Sequence, residues 1–202
     1  MNEIERLAAL FAEFPGIGTR QSKRFVYFLL HKDTGYTNDL AHRIGEIKKS
    51  IGQCTSCFRF FEKKISPLCD ECLKNNRDNS QLLIVEKDSD MDSVRKSDSY
   101  QGRYFVLGGL VPIVEKSTPL RVRINELISR IKKSEGEIKE VILAFSLSPQ
   151  GDHTDTYIRE MLDPSREEMG FTIHSLGRGL STGTELEYSD KETIKNALKN
   201  RQ

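Results

Sequence analysis

All four cysteines of the 202-residue chain fall between positions 54 and 72. They form two CxxC pairs, Cys54-Thr-Ser-Cys57 and Cys69-Asp-Glu-Cys72, with eleven residues between them. Each pair can bend two thiolates onto one cation through a tight knuckle, and two knuckles complete a tetrahedral S₄ shell. Zinc suits that shell best, because it prefers thiolates and brings no redox chemistry. No position is left for water, so the expected role of Zn²⁺ is structural, supplying folding energy to a module too small to bury much core. An iron–sulfur cluster is the chemical rival. Two redox-active CxxC pairs, or unrelated thiols, are the plainer reading.

A second constellation precedes the cysteines. In FPGIGTRQSKRF (14–25), a tight turn carries Gly16, Ile17 and Gly18, and a basic run follows. Glycines permit unusual φ and close approach of another backbone. Amides exposed at the start of the next helix point at an anion. Arg20, Lys23 and Arg24 lie on that helix's first turns, within reach of the same anion. The expected chemistry is a clamp on a nucleic-acid phosphate backbone, blind to base sequence. An ordinary helical pair with surface cations is the plain alternative.

These residues must be held by elements that the hydrophobic pattern outlines. Ile4, Leu7, Ala8 and Phe11 share a helical face, predicting a helix over 3–13. A second helix is expected from Thr19 to Leu30, with Phe25, Phe28 and Leu29 facing inward. Leu40, Ile44, Ile47 and Ile51 give a third stripe, so the first fifty residues read as a small helical unit. KNNRDNS (74–80) is a candidate linker. Short apolar runs at 81–86, 103–109, 140–145 and 171–176 are expected strands, and helices are expected over 121–133 and 153–162. Asp163-Pro164 should end or kink the latter, or Pro164 should open a short second helix to Met169. A last helix starts near Lys191. Strands alternating with helices predict an α/β sheet, largely parallel.

Composition adds bounds. Hydrophobic residues make up 37% and charged residues 30%, as in a globular protein. The net charge is +1, divided as +4 over residues 1–77 and −3 over the rest, a weak pointer to a polyanion. No run approaches 18 apolar residues, and the N-terminus lacks the pattern of a secretory leader, so a cytosolic location without membrane contact is expected. The four histidines (31, 42, 153, 174) show no ligand-like pairing.

Taken in order, PGIG with its basic helix, the four cysteines, LLIVE, GRYFVLGG, EVILAF and GLSTGTELEY resemble the RecR family of bacterial recombination mediators. The resemblance spans essentially the whole chain. It implies a multidomain α+β and α/β protein: a helix-hairpin-helix unit (1–52), a four-cysteine zinc finger (53–77), a Toprim domain (78–176), and a C-terminal Walker-B-like segment with a helix (177–202). It also implies a non-enzymatic DNA-repair factor, cytoplasmic and nucleoid-associated. Such a factor assembles as a dimer or ring tetramer on DNA gaps or single-/double-strand junctions, and acts with RecO and RecF to load recombinase. Arg20 and Arg24 fall where the family has basic residues implicated in DNA contact.

Catalytic Toprim enzymes hold Mg²⁺ with a Glu ending the first strand and an Asp-x-Asp after a later one. Glu86 fits the first position. The aspartate positions fall on Ser146 and Ser148, and a following glutamate position on Gln150. Neutral hydroxyls anchor Mg²⁺ poorly, which argues against the alternative of a Mg²⁺-dependent nuclease or primase-like enzyme. Glu86, Asp88 and Asp152 remain as an acidic surface for a basic partner or a weak Mg²⁺ site. GRGLSTGTELEY has glycines spaced like a nucleotide loop but lacks the Lys-Ser/Thr ending of a P-loop. A packed or subunit-exchanging arm is expected there instead.

Overall fold

The structure is a computed structural model, and it describes residues 1–114, 122–177, 183, 185–189 and 191–199. The expected C-terminal loop (178–182 and neighbours) and most of the 111–120 segment lie outside the described residues. The chain divides into two compact units, Met1–Gly52 and Gln53–Gln202.

The first unit is helical: α1 (Glu3–Ala12), α2 (Thr19–Leu30) and α3 (Thr34–Ser50). Asn2 caps α1 through a reciprocal pair, accepting from Glu5 N at 2.9 Å while Asn2 N donates to the Glu5 carboxylate at 3.0 Å. Asp33 starts α3 by accepting from Tyr36 N at 2.9 Å. Phe11 meets Phe25 edge-to-face at 5.7 Å, and Ala8, Ser22 and Val26 are buried.

The third helix forms as its stripe predicts, but no residue of α3 is buried, and Ile44 and Ile47 are 61% and 55% exposed. Phe28 does not face inward either. It is half exposed, with Tyr36 against its ring at 6.2 Å and the Lys32 ammonium 4.8 Å from its centre. Three short helices enclose too little volume to bury every apolar stripe.

Next along the chain come a two-stranded ribbon, β1 (Ile51–Gln53) and β2 (Phe60–Glu62), and a short helix α4 (Asp70–Leu73). There follow β3 (Asp78–Val85), α5 (Asp88–Ser97), β4 (Gly102–Val106), α6 (Ile124–Lys132), β5 (Glu140–Ala144), α7 (Pro149–Met169), β6 (Thr172–Ser175) and α8 (Lys191–Lys199). The four-stranded sheet is wholly parallel, in the order β4-β3-β5-β6.

Alternation along β3 divides the core between two faces. Leu82 and Ile84 join Phe105, Val141 and Leu143 beneath Leu127 and Ile131 of α6 and Ile158 and Leu162 of α7. Leu83 and Val85 join Tyr104, Val106 and Met91 of α5. Burial on both faces explains why these strands read as continuous apolar runs.

Four further expectations are corrected. Asp78–Ser80 of the supposed linker belong to β3, and α5 was not foreseen. Helix α6 starts at Ile124 rather than residue 121. Helix α7 starts at Pro149 and runs unbroken through Pro164 to Met169. Pro164 removes one backbone donor, but the buried residues Ile158, Leu162 and Ser165 anchor the helix on both sides of it.

Candidate metal centre and nucleic-acid interface

The two CxxC segments close on each other as their spacing demands. One Sγ from each of Cys54, Cys57, Cys69 and Cys72 lies within 4.8 Å of all the others, and Cys57 Sγ and Cys69 Sγ are 3.5 Å apart. A tetrahedral Zn–S shell at about 2.3 Å sets sulfurs about 3.8 Å apart, so the four thiols fit such an ion.

The knuckle turns are built by the backbone. Cys54 N donates to Arg59 O at 2.9 Å, Phe58 N to Cys54 O at 3.0 Å, and Cys72 N to Cys69 O at 3.0 Å. Cys69 N also donates to Cys54 Sγ at 3.4 Å. Phe58 takes a left-handed conformation (φ 61°), which ends the first knuckle and sends the chain into β2.

Cys54, Cys57 and Cys69 are buried, with Phe61 and Leu68 packed around them. The neighbouring thiols drive the group's acidities apart. Contact with Cys57 holds Cys54 far below the ordinary thiol range, and contact with Cys54 pushes Cys57 far above it. Cys69 falls to about 7, the raising contact from Cys54 being outweighed by Cys57 and Cys72. Four such groups cannot all ionise together out of water unless a cation balances them. The arrangement can hold a metal ion, which would tie the two knuckles together.

The module is fastened to the sheet by contacts that sequence reading missed. Cys57 O accepts from Val106 N of β4 at 2.8 Å. The Phe58 ring packs on Phe105 at 5.3 Å, with the Arg123 guanidinium 5.5 Å from its centre. Glu71, between two cysteines and 5% exposed, accepts from Arg77 at 2.6 Å and Lys74 at 2.8 Å, with Arg95 at 3.5 Å. Burial alone would raise its carboxyl, but hydrogen bonds and charge from Lys74 and Arg77 prevail and hold it at about 2. The only sequence signal for this hub is an acid followed by cations three and six residues on.

In the first unit, Gly16 has φ +78°, a conformation that favours glycine, while Gly18 is the N-cap of α2 at an ordinary φ of −85°. A methyl group added at either glycine would meet no atom within 4 Å, so the turn faces open space. Ile17 N donates to Phe14 O at 3.0 Å, which closes the turn. Helical spacing puts Arg20, Lys23 and Arg24 on one exposed face of α2, opposite buried Ser22 and Val26. None of the three cations has an ion pair among the described residues. The amides that open α2 and this row of cations therefore share one end of the helix.

The Toprim-like positions are arranged differently. Glu86 follows β3, and its carbonyl accepts from Gly108 N at 2.8 Å. Asp88 accepts from Phe60 N at 2.7 Å and so holds the β1–β2 ribbon. Asp152 lies in the first turn of α7. Among the described residues, the cysteine quartet is the one group of three or more His, Cys, Asp or Glu side chains whose ligand atoms converge. Ser148 caps α7 by accepting from Gly151 N at 3.1 Å, and Ser146 Oγ lies 3.1 Å from Ser148 Oγ. Ser148 is thus engaged in starting the helix, with the Ser146 hydroxyl beside it. Among the described residues, no helix is long and apolar enough to cross a membrane.

Comparison with known proteins agrees with this architecture. Residues 80–177 match the Toprim domain family, and residues 179–202 match the family described as RecR, C-terminal. The recombination protein RecR of Chloroherpeton thalassium is 33% identical over 98% of this chain and 95% of its own length. Its counterpart in Bacteroides thetaiotaomicron is 34% identical over 98% and 92%, and that of Lactobacillus acidophilus 31% over 98% and 96%. With its cysteine quartet and parallel Toprim sheet, matched along nearly its full length to relatives of that name, the chain belongs to the RecR family of recombination proteins.

Proposed function

We propose that the protein is a non-enzymatic, DNA-binding recombination mediator that grips the phosphate backbone through the turn at Gly16, Ile17 and Gly18 and through Arg20, Lys23 and Arg24. The observation that carries this reading is a row of cations, unpaired among the described residues, beside the open glycine turn at the start of α2. Such a surface offers charge and amides to phosphates and no base-reading pattern. Family membership supplies the process, DNA repair by recombination, and favours RecO and RecF as partners in loading recombinase on gapped DNA in the bacterial cytoplasm. Further support for a non-enzymatic role comes from Ser146 and Ser148, neutral residues at the aspartate positions of Toprim enzymes, of which Ser148 caps α7 and Ser146 contacts its hydroxyl. Glu86, Asp88 and Asp152 are assigned to an acidic surface for a basic partner, with weak Mg²⁺ binding as their lesser role.

The ion of the cysteine quartet is assigned as Zn²⁺. The functional division follows the boundaries 1–52, 53–77, 78–176 and 177–202. Self-association into a dimer or ring is supported by an apolar cleft of about 500 Å³ in the first unit, lined by Leu7, Leu10, Phe14, Leu30, Leu40 and Ile44. An exposed face of that kind marks an interface.

The test is a salt series of binding to gapped DNA with Arg20→Ala/Arg24→Ala. Two lost phosphate contacts should flatten the slope of log K against log salt by about 1.4 to 1.8 for any base sequence. Unchanged binding would remove the clamp, and Mg²⁺-dependent cleavage abolished by Glu86→Gln would restore the enzyme reading.

A further inference from the structure

The second unit carries a cleft that neither the cysteine quartet nor the loop after β5 uses. It measures about 360 Å³ and lies between the first knuckle and one face of α6. Thr55 and Ser56 come from the knuckle; Asn125, Ser129, Arg130 and Lys133 come from α6 and its C-cap. Helical spacing puts Ser129 and Lys133 opposite the core face of Ile124, Leu127 and Ile131, with Asn125 and Arg130 towards its flanks.

The chemistry of the lining is one-sided. Arg130 Nε is shut off from water and has no acceptor among the described residues. Among those same residues, the side chains of Thr55, Ser56, Asn125, Ser129 and Lys133 form no hydrogen bond or ion pair. Nε itself lies too deep for a molecule in the open cleft to reach, so what the cleft offers is the charge of Arg130 and Lys133 and the hydroxyl and amide groups around them. Glu126 is the single carboxylate of the lining. It stands four residues before Arg130 yet makes no ion pair with it, so Arg130 is not satisfied from within the helix.

The knuckle wall is held in place. Phe58, which also lines the cleft, packs on Phe105, and the carbonyl of Cys57 is bonded to β4. A bound metal would fix Thr55 and Ser56 further, because they lie between two of its ligands.

We propose that this cleft binds a phosphate oxyanion, with Arg130 and Lys133 supplying charge and the Thr55, Ser56 and Ser129 hydroxyls and the Asn125 amide supplying further donors. A guanidinium, an ammonium and hydroxyls converging on one open cleft suit the several oxygens of a phosphate. Two sources share that chemistry: a backbone phosphate of DNA, and a free phosphate, inorganic or on a nucleotide. The first source rests on the DNA-clamp reading, and the second does not.

The experiment uses the metal-loaded full chain with Arg130→Gln and the exposed-site variant Lys133→Glu, each first checked for retained metal and cooperative unfolding. Inorganic phosphate and ADP are titrated calorimetrically, and gapped DNA is titrated across a salt series. Both variants should lose at least about tenfold in phosphate affinity. A salt slope flattened by about 0.7 to 0.9 in the variants identifies the DNA backbone as the source, whereas an unchanged slope with lost phosphate binding identifies a free phosphate. Arg20→Ala/Arg24→Ala is run alongside, so that failure of the clamp registers separately. The proposal is overturned if the wild type binds no phosphate, or if Lys133→Glu binds phosphate and DNA as the wild type does.

Discussion

Glu71→Gln tests how the metal module is fastened to the sheet. The substitution keeps shape and volume, removes the charge and turns one of two accepting oxygens into a donor. Glu71 and Arg77 are 5% and 7% exposed at the side chain and 2.6 Å apart, so their pair is out of water, whereas Lys74 and Arg95, 46% and 38% exposed, add less. Removing one partner of a buried pair leaves an uncompensated charge and costs about 3–5 kcal/mol. Arg77 keeps one acceptor, Tyr100 O at 2.8 Å, and its position over the Tyr104 ring, which places the expected loss near the lower bound, about 3 kcal/mol. For a unit of this size that is a fall in Tm of about 6–12 °C. Thermal and urea unfolding of metal-loaded protein, with metal content measured beside them, provides the assay. A second variant, Glu71→Gln/Arg77→Met, should recover part of the loss, since it removes the stranded charge. A fall below about 1 kcal/mol, or a double variant as unstable as the sum of the singles, would refute the buried pair as the fastening.

Three further outcomes follow from the same geometry. The purified chain should carry one zinc by elemental analysis, and Cys57→Ser should bind it at least tenfold more weakly, because the four-thiolate shell loses a ligand. Gly16→Ala should destabilise the first unit by about 1 kcal/mol through its positive φ, and Gly16→Asn, which tolerates that φ better, should cost less, which side-by-side melts check. Gly151→Ala should cost about 1–3 kcal/mol in urea unfolding, since its Cβ would press into the Ser146 carbonyl at the start of α7.

Much of the second unit was legible because its physics is local. The strands are buried on both faces and announce themselves as apolar runs, and CxxC spacing specifies a knuckle without reference to the rest of the chain. What was missed depends on neighbours. Helix α5 has few apolar residues, and Met91 alone is buried; it exists because Asp88 and Asp90 start it and the sheet covers one stripe. The α3 stripe was visible, but nothing in the sequence states whether such a stripe meets its own chain. Pro164 obeys its local rule only where packing does not outweigh it. At the candidate site, the cysteines and the turn could be read from residue type and spacing. The burial of Glu71 could not, because it arises from Arg77, Tyr104 and Arg95 arriving from other elements.

The bond from Val106 N to Cys57 O has a consequence for quality control. β4 is a terminal strand of the sheet, and this outward amide is covered by the cysteine module. If the metal is stripped and the knuckle lets go, a hydrophobic strand is bared along one side, ready to accept a foreign strand. The metal-free protein should therefore be lost to aggregation before it is lost to unfolding. Metal supply would then set how much soluble protein a cell retains.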